Sequence, residues 1–568
     1  MSITTPKTTS DAETTVSPVV ENSMTATRVA IRTKELELQA VTARSWTASL
    51  RQAAEYSTLI SLVRFIFKNV ASWIKTLILA PATIFLDPLS TGMALVVWPF
   101  VFFGLFIETL VLRVVMSIGG RWAIHQISET WCERYSVVNW PNPEIFTSQE
   151  TKQAILSAKA TLCGVATTIP NVPAPGTTNV DMDPELATTR IFDLDVARTL
   201  LVMSSLVYER DDDSVRKAAD EAAQGRPVEA QKLVWQSESK IRNIAEAWGL
   251  NYEGITDLSL PGGSFASVFW TKSFDRLPFI ILVFKGTSPF SFAEWLVDMT
   301  LSRINSAPYF GAGATHEGFT SRLFPTNQGG SDSYGVILRS LKHIASEIQK
   351  QLGRREPVPL WVTGHSLGSA MASLFFCRLL KSPKDLGDHL VLRDSYVYGT
   401  PRLGDGSFAS SIDEAFVTPR DRANILWRVI NAADIVCRVP PGLADKDSNR
   451  STISASSLVN YAHVGVPFLL NPWFQPHFNV QEAVFRSHTR VVIVKDAEDG
   501  HAETGQLKSI TSNRNIVSWL CAALTPAFIY DHAPASYYQH LKMVHATGQG
   551  GESRRSARLG AHPKSQPV

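Results

Sequence analysis

One pattern constrains the fold of this chain more than any other: Gly364, Ser366 and Gly368 form a G-x-S-x-G motif. An apolar, strand-like run, Leu360 to Thr363, precedes the motif, and a helix-forming run, Ser369 to Leu380, follows it. A serine in this context lies on a tight, strained turn from which its hydroxyl projects, and the glycines remove side chains that would collide there. The motif alone is weak evidence, but between a strand and a helix it predicts a nucleophile elbow.

The sequence around the motif alternates between strand-like and helix-like runs. Such alternation is typical of an α/β sheet with helices on both faces. An amphipathic helix is predicted for Phe192 to Glu209. Buried strands are predicted for four apolar runs, Phe279 to Phe284, Leu360 to Thr363, Tyr396 to Tyr398 and Ile425 to Ile430.

A serine nucleophile needs donors for the oxyanion that forms on its substrate, and the sequence offers two. The first is the backbone N–H of Leu367, directly after the serine. The second follows the predicted strand that ends at Phe284, where Gly286 lets the backbone approach closely. Thr287 then offers both its N–H and its hydroxyl. We therefore expect Thr287 and Leu367 to form an oxyanion hole.

An apolar helical face follows the expected oxyanion loop. Its members are Phe290, Phe292, Trp295, Leu296 and Met299. Most of them recur at helical spacing, with Glu294 and Asp298 on the opposite side. An ordinary surface helix is one interpretation, but a helix this apolar beside an oxyanion loop favours a lid that opens on a lipid surface.

The catalytic acid of a sheet with such an elbow is expected after the serine and before the base. Asp434 lies just past the predicted strand Ile425 to Ile430, at a strand end where catalytic residues collect. Asp421 and Asp445 compete for this role, although their neighbourhoods are typical of solvated loops. Asp434 is therefore the predicted acid.

Eight histidines follow Asp434 and are candidates for the base. His532 lies in a late loop after the apolar run Ile516 to Tyr530, which favours it. A lone histidine is more often a structural hydrogen-bonding group than a general base. The residues alone therefore leave His463 and His540 as alternatives.

A hydrophobic block lies well upstream. Its clearest part, Pro88 to Ile107, is 20 residues without a charge, which is long enough to cross a bilayer. A second arm, Ala71 to Leu86, meets it at the turn-forming Asp87-Pro88, so a hairpin in one leaflet fits as well as one span. Upstream, Arg64 and Lys68 lie among apolar residues at helical spacing, as in a helix on an anionic surface. The alternative is a buried helical cap on the enzyme domain.

Five regions are expected along the chain. They are a Ser/Thr-rich disordered tail (1–50), a membrane-attachment region (51–130), a connector (131–189), the catalytic domain (190–545) and a second disordered tail (546–568). The 54 Lys and Arg residues balance 52 Asp and Glu residues, which argues against a nucleic-acid partner. Five scattered cysteines and no evident cleavable secretory signal predict reduced thiols and a cytosolic catalytic domain.

Taken together, these motifs resemble those of the class 3 lipases, the fungal-lipase-like α/β-hydrolases, over roughly Asp193 to Leu541. Seven separated blocks, in the family's order, carry the resemblance. They are FKGTSPFSFAEWLVDM at Phe284 to Met299, HEGF at His316 to Phe319, VTGHSLG at Val362 to Gly368, YGTPRLGD at Tyr398 to Asp405, ADIVCRVPP at Ala433 to Pro441, YAHVG at Tyr461 to Gly465 and DHAPASYY at Asp531 to Tyr538. The first two blocks and the apolar N-terminal region look most like the plant oil-body lipases, which sit on lipid droplets and cleave triacylglycerol.

The resemblance implies Ser366 as nucleophile, Asp434 as acid and His532 as base, with Thr287 and Leu367 as the oxyanion hole. It also implies that His463, within the YAHVG block, is structural. The sequence departs from the family at three positions. Lys285 stands where Arg is more usual, Ser369 stands where a second Gly follows the elbow, and Thr400 stands where Gln is frequent.

The expected protein is thus a membrane- or lipid-droplet-associated serine lipase that acts on triacylglycerol through an acyl-enzyme. Diacylglycerol, a phospholipid or a sterol ester is the alternative substrate, and a catalytically silent lipid-surface scaffold is the alternative from another class. The chemistry requires no metal and no organic cofactor. The expected location is the endoplasmic reticulum or a lipid droplet, and the sequence does not indicate an oligomeric state.

Overall fold

A computed structural model of the chain describes most of the residues between 114 and 544. The described ranges are 114–164, 190–258, 263–272, 277–287, 301–324, 332–417, 424–445, 450, 453–455, 457, 459–471, 477–479, 491–494 and 527–544, with four isolated positions at 74, 103, 107 and 111. The two predicted tails, most of the predicted membrane-attachment region and the five lid candidates lie outside these residues.

Twelve strands occur among the described residues. In chain order they are β1 (Arg190–Asp193), β2 (Leu250–Asp257), β3 (Phe265–Thr271), β4 (Ile280–Phe284), β5 (Arg303–Asn305), β6 (Ala314–His316), β7 (Val358–His365), β8 (Leu390–Tyr398), β9 (Leu426–Asn431), β10 (Val466–Asn471), β11 (His477–Asn479) and β12 (Val491–Val494). Eight of them form one sheet in the order β11-β10-β9-β8-β7-β4-β3-β2. Neighbours from β4 to β10 are parallel, whereas β2, β3 and β11 pair antiparallel.

Two smaller pairings lie outside this sheet. Strand β1 pairs in parallel with β12, and β5 pairs antiparallel with β6.

Thirteen α-helices occur among the described residues. In chain order they are α1 (Arg121–Trp131), α2 (Gln149–Leu162), α3 (Leu194–Leu206), α4 (Asp212–Ala223), α5 (Pro227–Ser237), α6 (Ser239–Ala247), α7 (Ala307–Phe310), α8 (Glu317–Leu323), α9 (Ser333–Leu352), α10 (Leu367–Lys381), α11 (Gly406–Val417), α12 (Ala527–Tyr530) and α13 (Pro534–Met543). A π-helical turn, Met116–Gly120, precedes α1. Single turns of 3-10 helix lie at Pro143–Phe146, Val207–Glu209, Pro383–Leu386 and Val436–Arg438.

The central sheet is apolar on both faces because successive side chains of a strand point to opposite sides. In β4, Ile280, Leu282 and Phe284 pack in one core, while Ile281 and Val283 pack in a second. Helices α9 and α10 contribute to the first core, and α3 and α13 contribute to the second. The predicted α/β sheet with helices on both faces is therefore confirmed.

The elements observed differ slightly in length from those predicted. Strand β8 begins at Leu390, six residues before the predicted start at Tyr396. The prediction began too late because the charged residues Arg393 and Asp394 interrupt the apolar pattern. Helix α3 begins at Leu194, where the carboxylate of Asp193 accepts two backbone N–H groups of the first turn. Such a cap is a common start signal for a helix.

The region predicted as a connector, 131–189, contains α2 and a 3-10 turn that pack on the catalytic domain. Phe146, Ile155 and Leu162 belong to the same core as strands β7 to β9. The indole N–H of Trp361 in β7 donates to the carbonyl of Leu162 at 2.8 Å. This segment is therefore part of the second core of the sheet.

Among the residues that the structure describes, no helix is both long enough and apolar enough to pass through a bilayer.

Candidate active site

Four parallel strands end at the same edge of the sheet, and each is followed by a residue of the candidate site. Thr287 follows β4, Ser366 follows β7, Gly399 follows β8, and Asp434 lies three residues after β9. The carboxyl ends of parallel strands in α/β proteins commonly form the binding crevice. The parallel order β4-β7-β8-β9 therefore gathers these four positions from distant parts of the sequence.

Ser366 lies at the junction between β7 and α10 in a strained conformation. Its φ is 59° and its ψ is −132°, values that a residue with a side chain rarely adopts. Its backbone N–H donates to the carbonyl of Tyr398 at 3.0 Å, which ties the turn to β8. The hydroxyl of Ser369 donates to the Ser366 carbonyl.

The glycines on either side of the turn are required by close backbone contacts. A Cβ on Gly364 would collide with the carbonyl of Gly368, and a Cβ on Gly368 would collide with the carbonyl of Phe284. The expected reason for glycine at both positions is thus confirmed. These contacts also bring the elbow against the end of β4.

The loop after β4 lies directly beside the nucleophile candidate. A Cβ on Gly286 would lie only 3.1 Å from the Cβ of Ser366 and 2.6 Å from the carbonyl oxygen of His365. Thr287 is the next residue and is buried. Leu367, also buried, is the first residue of α10, where the positive end of the helix dipole lies.

His532 and Asp434 form a direct pair between the loop before α13 and the loop after β9. The Nδ1 atom of His532 lies 3.0 Å from Oδ1 and 2.9 Å from Oδ2 of Asp434. A carboxylate only accepts hydrogen bonds, so Nδ1 carries the proton and Nε2 carries the lone pair of the neutral ring. Within the described part of the chain, this Nε2 atom is buried and makes no hydrogen bond.

Asp434 is fully buried and has three donors around its carboxylate. Besides His532, the backbone N–H of Val436 donates at 2.8 Å and the hydroxyl of Tyr537 donates at 2.5 Å. Burial alone would raise the pKa of Asp434, but the nearby imidazole and the three donors outweigh it and hold the pKa below its ordinary value. The carboxylate is therefore ionised at neutral pH.

Gly399, at the end of β8, leaves room for this pair. Its φ is +62°, and a Cβ there would lie 2.7 Å from Cε1 of His532, 2.8 Å from Nδ1 and 3.0 Å from Oδ2 of Asp434. Any side chain at this position would displace the imidazole or the carboxylate. The glycine lies within the YGTPRLGD block, but the sequence did not indicate this role.

The alternative candidates make other contacts. Nε2 of His463 lies 3.0 Å from the carbonyl of Cys437, and Nδ1 of His540 lies 2.5 Å from Oδ1 of Asn431. Asp445 accepts hydrogen bonds from Arg402 and from the backbone N–H of His463. The fourth alternative, the carboxylate at 421, lies outside the described residues.

Two further side chains at the elbow were not found from the sequence. His365 precedes the serine, and its Nε2 lies 2.8 Å from the backbone carbonyl of His532. Its Nδ1 lies 3.1 Å from the hydroxyl of Tyr208. Tyr208 falls at the end of the predicted helix Phe192 to Glu209, where helical periodicity gave no indication of its partner.

Comparison with known proteins agrees with this architecture. The family described as Lipase (class 3) matches one region of the chain, residues 281–443. This region contains the elbow, the end of β4 and Asp434.

Two relatives and one solved structure illustrate the similarity. The chain is 26% identical over 246 residues to triacylglycerol lipase OBL1 of Ricinus communis, covering 38% of this chain and 45% of that protein. It is 29% identical over 172 residues to a lipase of Rhizopus niveus, covering 29% of this chain and 36% of the relative. In both cases the chain spans less than half the length of the relative. The Rhizomucor miehei lipase propeptide complex aligns at 22% identity with a TM-score of 0.28, covering 43% of this chain and 66% of that chain.

Proposed function

We propose that the chain is a serine lipase that hydrolyses the carboxyl esters of triacylglycerol at a membrane or lipid-droplet surface. The observation that carries this proposal is the pairing of His532 with Asp434 at 2.9 Å, beside an elbow on which Ser366 adopts a strained conformation. The name of the Ricinus communis relative, triacylglycerol lipase, supports an acylglycerol as the substrate.

In the proposed first step, Nε2 of His532 takes the proton of the Ser366 hydroxyl as its oxygen attacks the ester carbonyl carbon. The imidazole becomes an imidazolium, and the buried carboxylate of Asp434 stabilises the new charge and holds the ring orientation. The fixed Nδ1–H bond to Asp434 supports this step, because it leaves only Nε2 available as the base.

The attack places a negative charge on the former carbonyl oxygen. We assign its stabilisation to the backbone N–H groups of Thr287 and Leu367, with the Thr287 hydroxyl as a third donor. The close approach of Gly286 to Ser366 and the helix dipole of α10 support this assignment. The imidazolium then gives its proton to the departing alcohol oxygen, which leaves an acyl-enzyme that water hydrolyses by the same steps.

We further propose that residues 51–130 attach the enzyme to the surface of the endoplasmic reticulum or of a lipid droplet, with the catalytic domain in the cytosol. The charge-free run from Pro88 to Ile107 supports attachment. The described residues that follow it add support, since Ile118, Trp122 and Trp131 expose 79%, 69% and 53% of their surface. Tryptophan side chains are enriched at the membrane–water interface.

Fatty-acid release from emulsified triolein and from phosphatidylcholine vesicles tests the chemistry. Wild type, Ser366→Ala and Ser373→Ala are compared in the same membranes. Ser373 is a buried serine of α10 that bonds to the Ser369 carbonyl, so its replacement controls for loss of a helix hydroxyl. We expect release from triolein that only Ser366→Ala abolishes.

Other outcomes of this assay would indicate a different function. Serine-dependent release from phosphatidylcholine alone would indicate a phospholipase, and no serine-dependent release would favour another ester or a silent scaffold. Attachment is tested separately by fusing residues 51–130 to a fluorescent reporter. A reporter that stays in the cytosol would contradict the proposed attachment without affecting the chemistry.

A further inference from the structure

His365 links the two loops that carry the proposed nucleophile and base. It is the neighbour of Ser366 in the chain, and its Nε2 atom lies 2.8 Å from the backbone carbonyl oxygen of His532. Its ring also lies against the ring of His532, with 4.6 Å between the centroids and 32° between the planes. One side chain from the elbow therefore contacts both the backbone and the ring of the proposed base.

The partners of His365 fix its tautomer. A carbonyl oxygen cannot donate a hydrogen bond, so Nε2 of His365 carries the proton that the His532 carbonyl accepts. In the neutral ring Nδ1 is then an acceptor, and the hydroxyl of Tyr208, 3.1 Å away, is its donor. Both ring nitrogens of His365 therefore have a hydrogen-bond partner while the ring is neutral.

Burial keeps His365 neutral. The side chain is almost wholly enclosed, and burial together with the nearby His532 lowers the pKa of His365 to about 3. A neutral ring matters at this place, because the proposed mechanism puts a positive charge on His532. A second charge at a ring separation of 4.6 Å would oppose that step.

We propose that His365 is a positioning residue, which holds the loop of His532 at the nucleophile elbow by donating its Nε2–H to the His532 carbonyl. The inference rests on the proposed function, because it takes His532 as the base. Asp434 fixes the orientation of the imidazole, whereas His365 fixes the backbone from which that imidazole projects. The two contacts together set the distance between the base and Ser366.

Two substitutions separate the proposed role from a merely structural one. The amide nitrogen of Gln occupies the place of Nε2, so His365→Gln keeps a donor for the His532 carbonyl. The amide of Asn occupies the place of Nδ1, so His365→Asn keeps a polar group near Tyr208 and loses the link to His532. His389→Gln is the matched control. His389 lies just before β8, at the end of the strand away from the candidate site, and its ring is hydrogen-bonded to Gln349.

The first measurement is turnover of a soluble short-chain ester, with active sites counted by an organophosphonate so that unfolded protein does not contribute. We expect His365→Asn to lose about 100-fold in kcat, the order of loss that a displacement of about 1 Å can cause. Its KM should stay at the wild-type value. We expect His365→Gln to recover most of that loss and His389→Gln to behave as wild type.

The second measurement does not depend on turnover. The Nδ1 proton that His532 shares with Asp434 should give a downfield proton resonance in the wild type and in Ser366→Ala. We expect this resonance to be kept in His365→Gln and to be shifted or broadened in His365→Asn. If the wild type shows no serine-dependent hydrolysis, the proposed function fails, while the resonance still tests the link. Equal losses in both His365 variants, or an unchanged kcat and resonance in His365→Asn, would overturn the proposal.

Discussion

The backbone N–H of Ala433 donates to the carboxylate of Asp531 at 3.0 Å. Each of these residues is the immediate neighbour of a proposed catalytic residue, Asp434 in one loop and His532 in the other. The side-chain amide of Asn431 strengthens the link by donating to the Asp531 carbonyl at 2.8 Å. The two loops are therefore tied together by contacts that do not involve the catalytic side chains.

Asp531→Ala should loosen this tie. The substitution removes the acceptor of the Ala433 N–H, and a hydrogen bond to a charged group contributes about 1.5 to 3 kcal/mol. We expect kcat on a soluble ester to fall about 10-fold or more with little change in KM. Asp531→Asn keeps an oxygen that accepts from Ala433 and should lose much less. Equal losses for the two variants would mean that the hydrogen bond is not what holds the loops.

Gly399→Ala should displace the His532–Asp434 pair. The new Cβ would lie 2.7 Å from Cε1 of His532, which is closer than carbon atoms approach without a shift. We expect kcat to fall about 100-fold, since small misplacements of a catalytic group have effects of this size. The conformation itself costs about 1 to 2 kcal/mol of stability, because the φ at this position is left-handed.

Gly353→Ala is the matched control for that strain. Gly353 ends α9 with a φ of +61°, and no atom lies within 4 Å of the added Cβ. Both alanine variants should lose stability in thermal unfolding from the left-handed φ, and Gly399→Ala should lose more because its Cβ also clashes with His532 and Asp434. Only Gly399→Ala should lose activity. Full activity in Gly399→Ala would contradict the observed packing at the end of β8.

Lys285, the residue before Gly286, is held by a buried ion pair with Asp212. The ammonium lies 2.7 Å and 2.6 Å from the two carboxylate oxygens, and its side chain is 0% exposed. Removing one partner of such a pair leaves a buried charge and costs about 3 to 5 kcal/mol. We expect Asp212→Ala to lower the free energy of unfolding by about this amount, and Asp212→Ala with Lys285→Met to recover most of it.

Asp213→Ala provides the comparison in the same turn of helix α4. Asp213 pairs with Arg216 at the surface, where its side chain is 69% exposed. Both substitutions remove a negative charge from the first turn, so they share any effect of the helix dipole. Urea unfolding should show a small loss for Asp213→Ala. A loss as large as that of Asp212→Ala would assign the effect to the helix end rather than to the ion pair.

Four strands of the central sheet and the elbow could be predicted from the sequence because their signals are local. An apolar run before G-x-S-x-G and a helix-forming run after it lie within about twenty residues, and strand periodicity does not depend on the rest of the chain. The same local logic placed Asp434 after β9. It did not choose among the histidines, because a histidine leaves no periodic signal of its role.

Other parts of the site arise from contacts between residues far apart in the chain, which a single sequence does not show. Tyr208 meets His365 across 157 positions, and Asp531 meets Ala433 across 98. The packing of α2 on the core was missed for a different reason. Three of its five buried residues are Thr151, Ala154 and Ala158, so its inner face has little hydrophobic contrast with its outer face.

Three histidines, one buried and two half-buried, should make the stability of the protein depend on pH. Burial lowers the pKa of His365 to about 3 and of His540 to about 4, and burial beside Arg428 lowers the pKa of His463 well below its ordinary value. In the unfolded chain each imidazole takes up a proton near about pH 6.5. The folded state does not, so unfolding takes up protons below that pH and is favoured by acid.

The contribution of these histidines to stability is therefore complete above about pH 6.5 and is lost as the pH falls toward the folded pKa values. Each group adds a slope of up to about 1.4 kcal/mol per pH unit to the free energy of unfolding. Urea unfolding between about pH 5 and 6.5 isolates this effect, because the carboxylates titrate mainly at lower pH. We expect His463→Gln and His540→Gln each to reduce the slope by roughly one proton. An undiminished slope in both variants would show that these two histidines bind protons equally well in the folded and unfolded states.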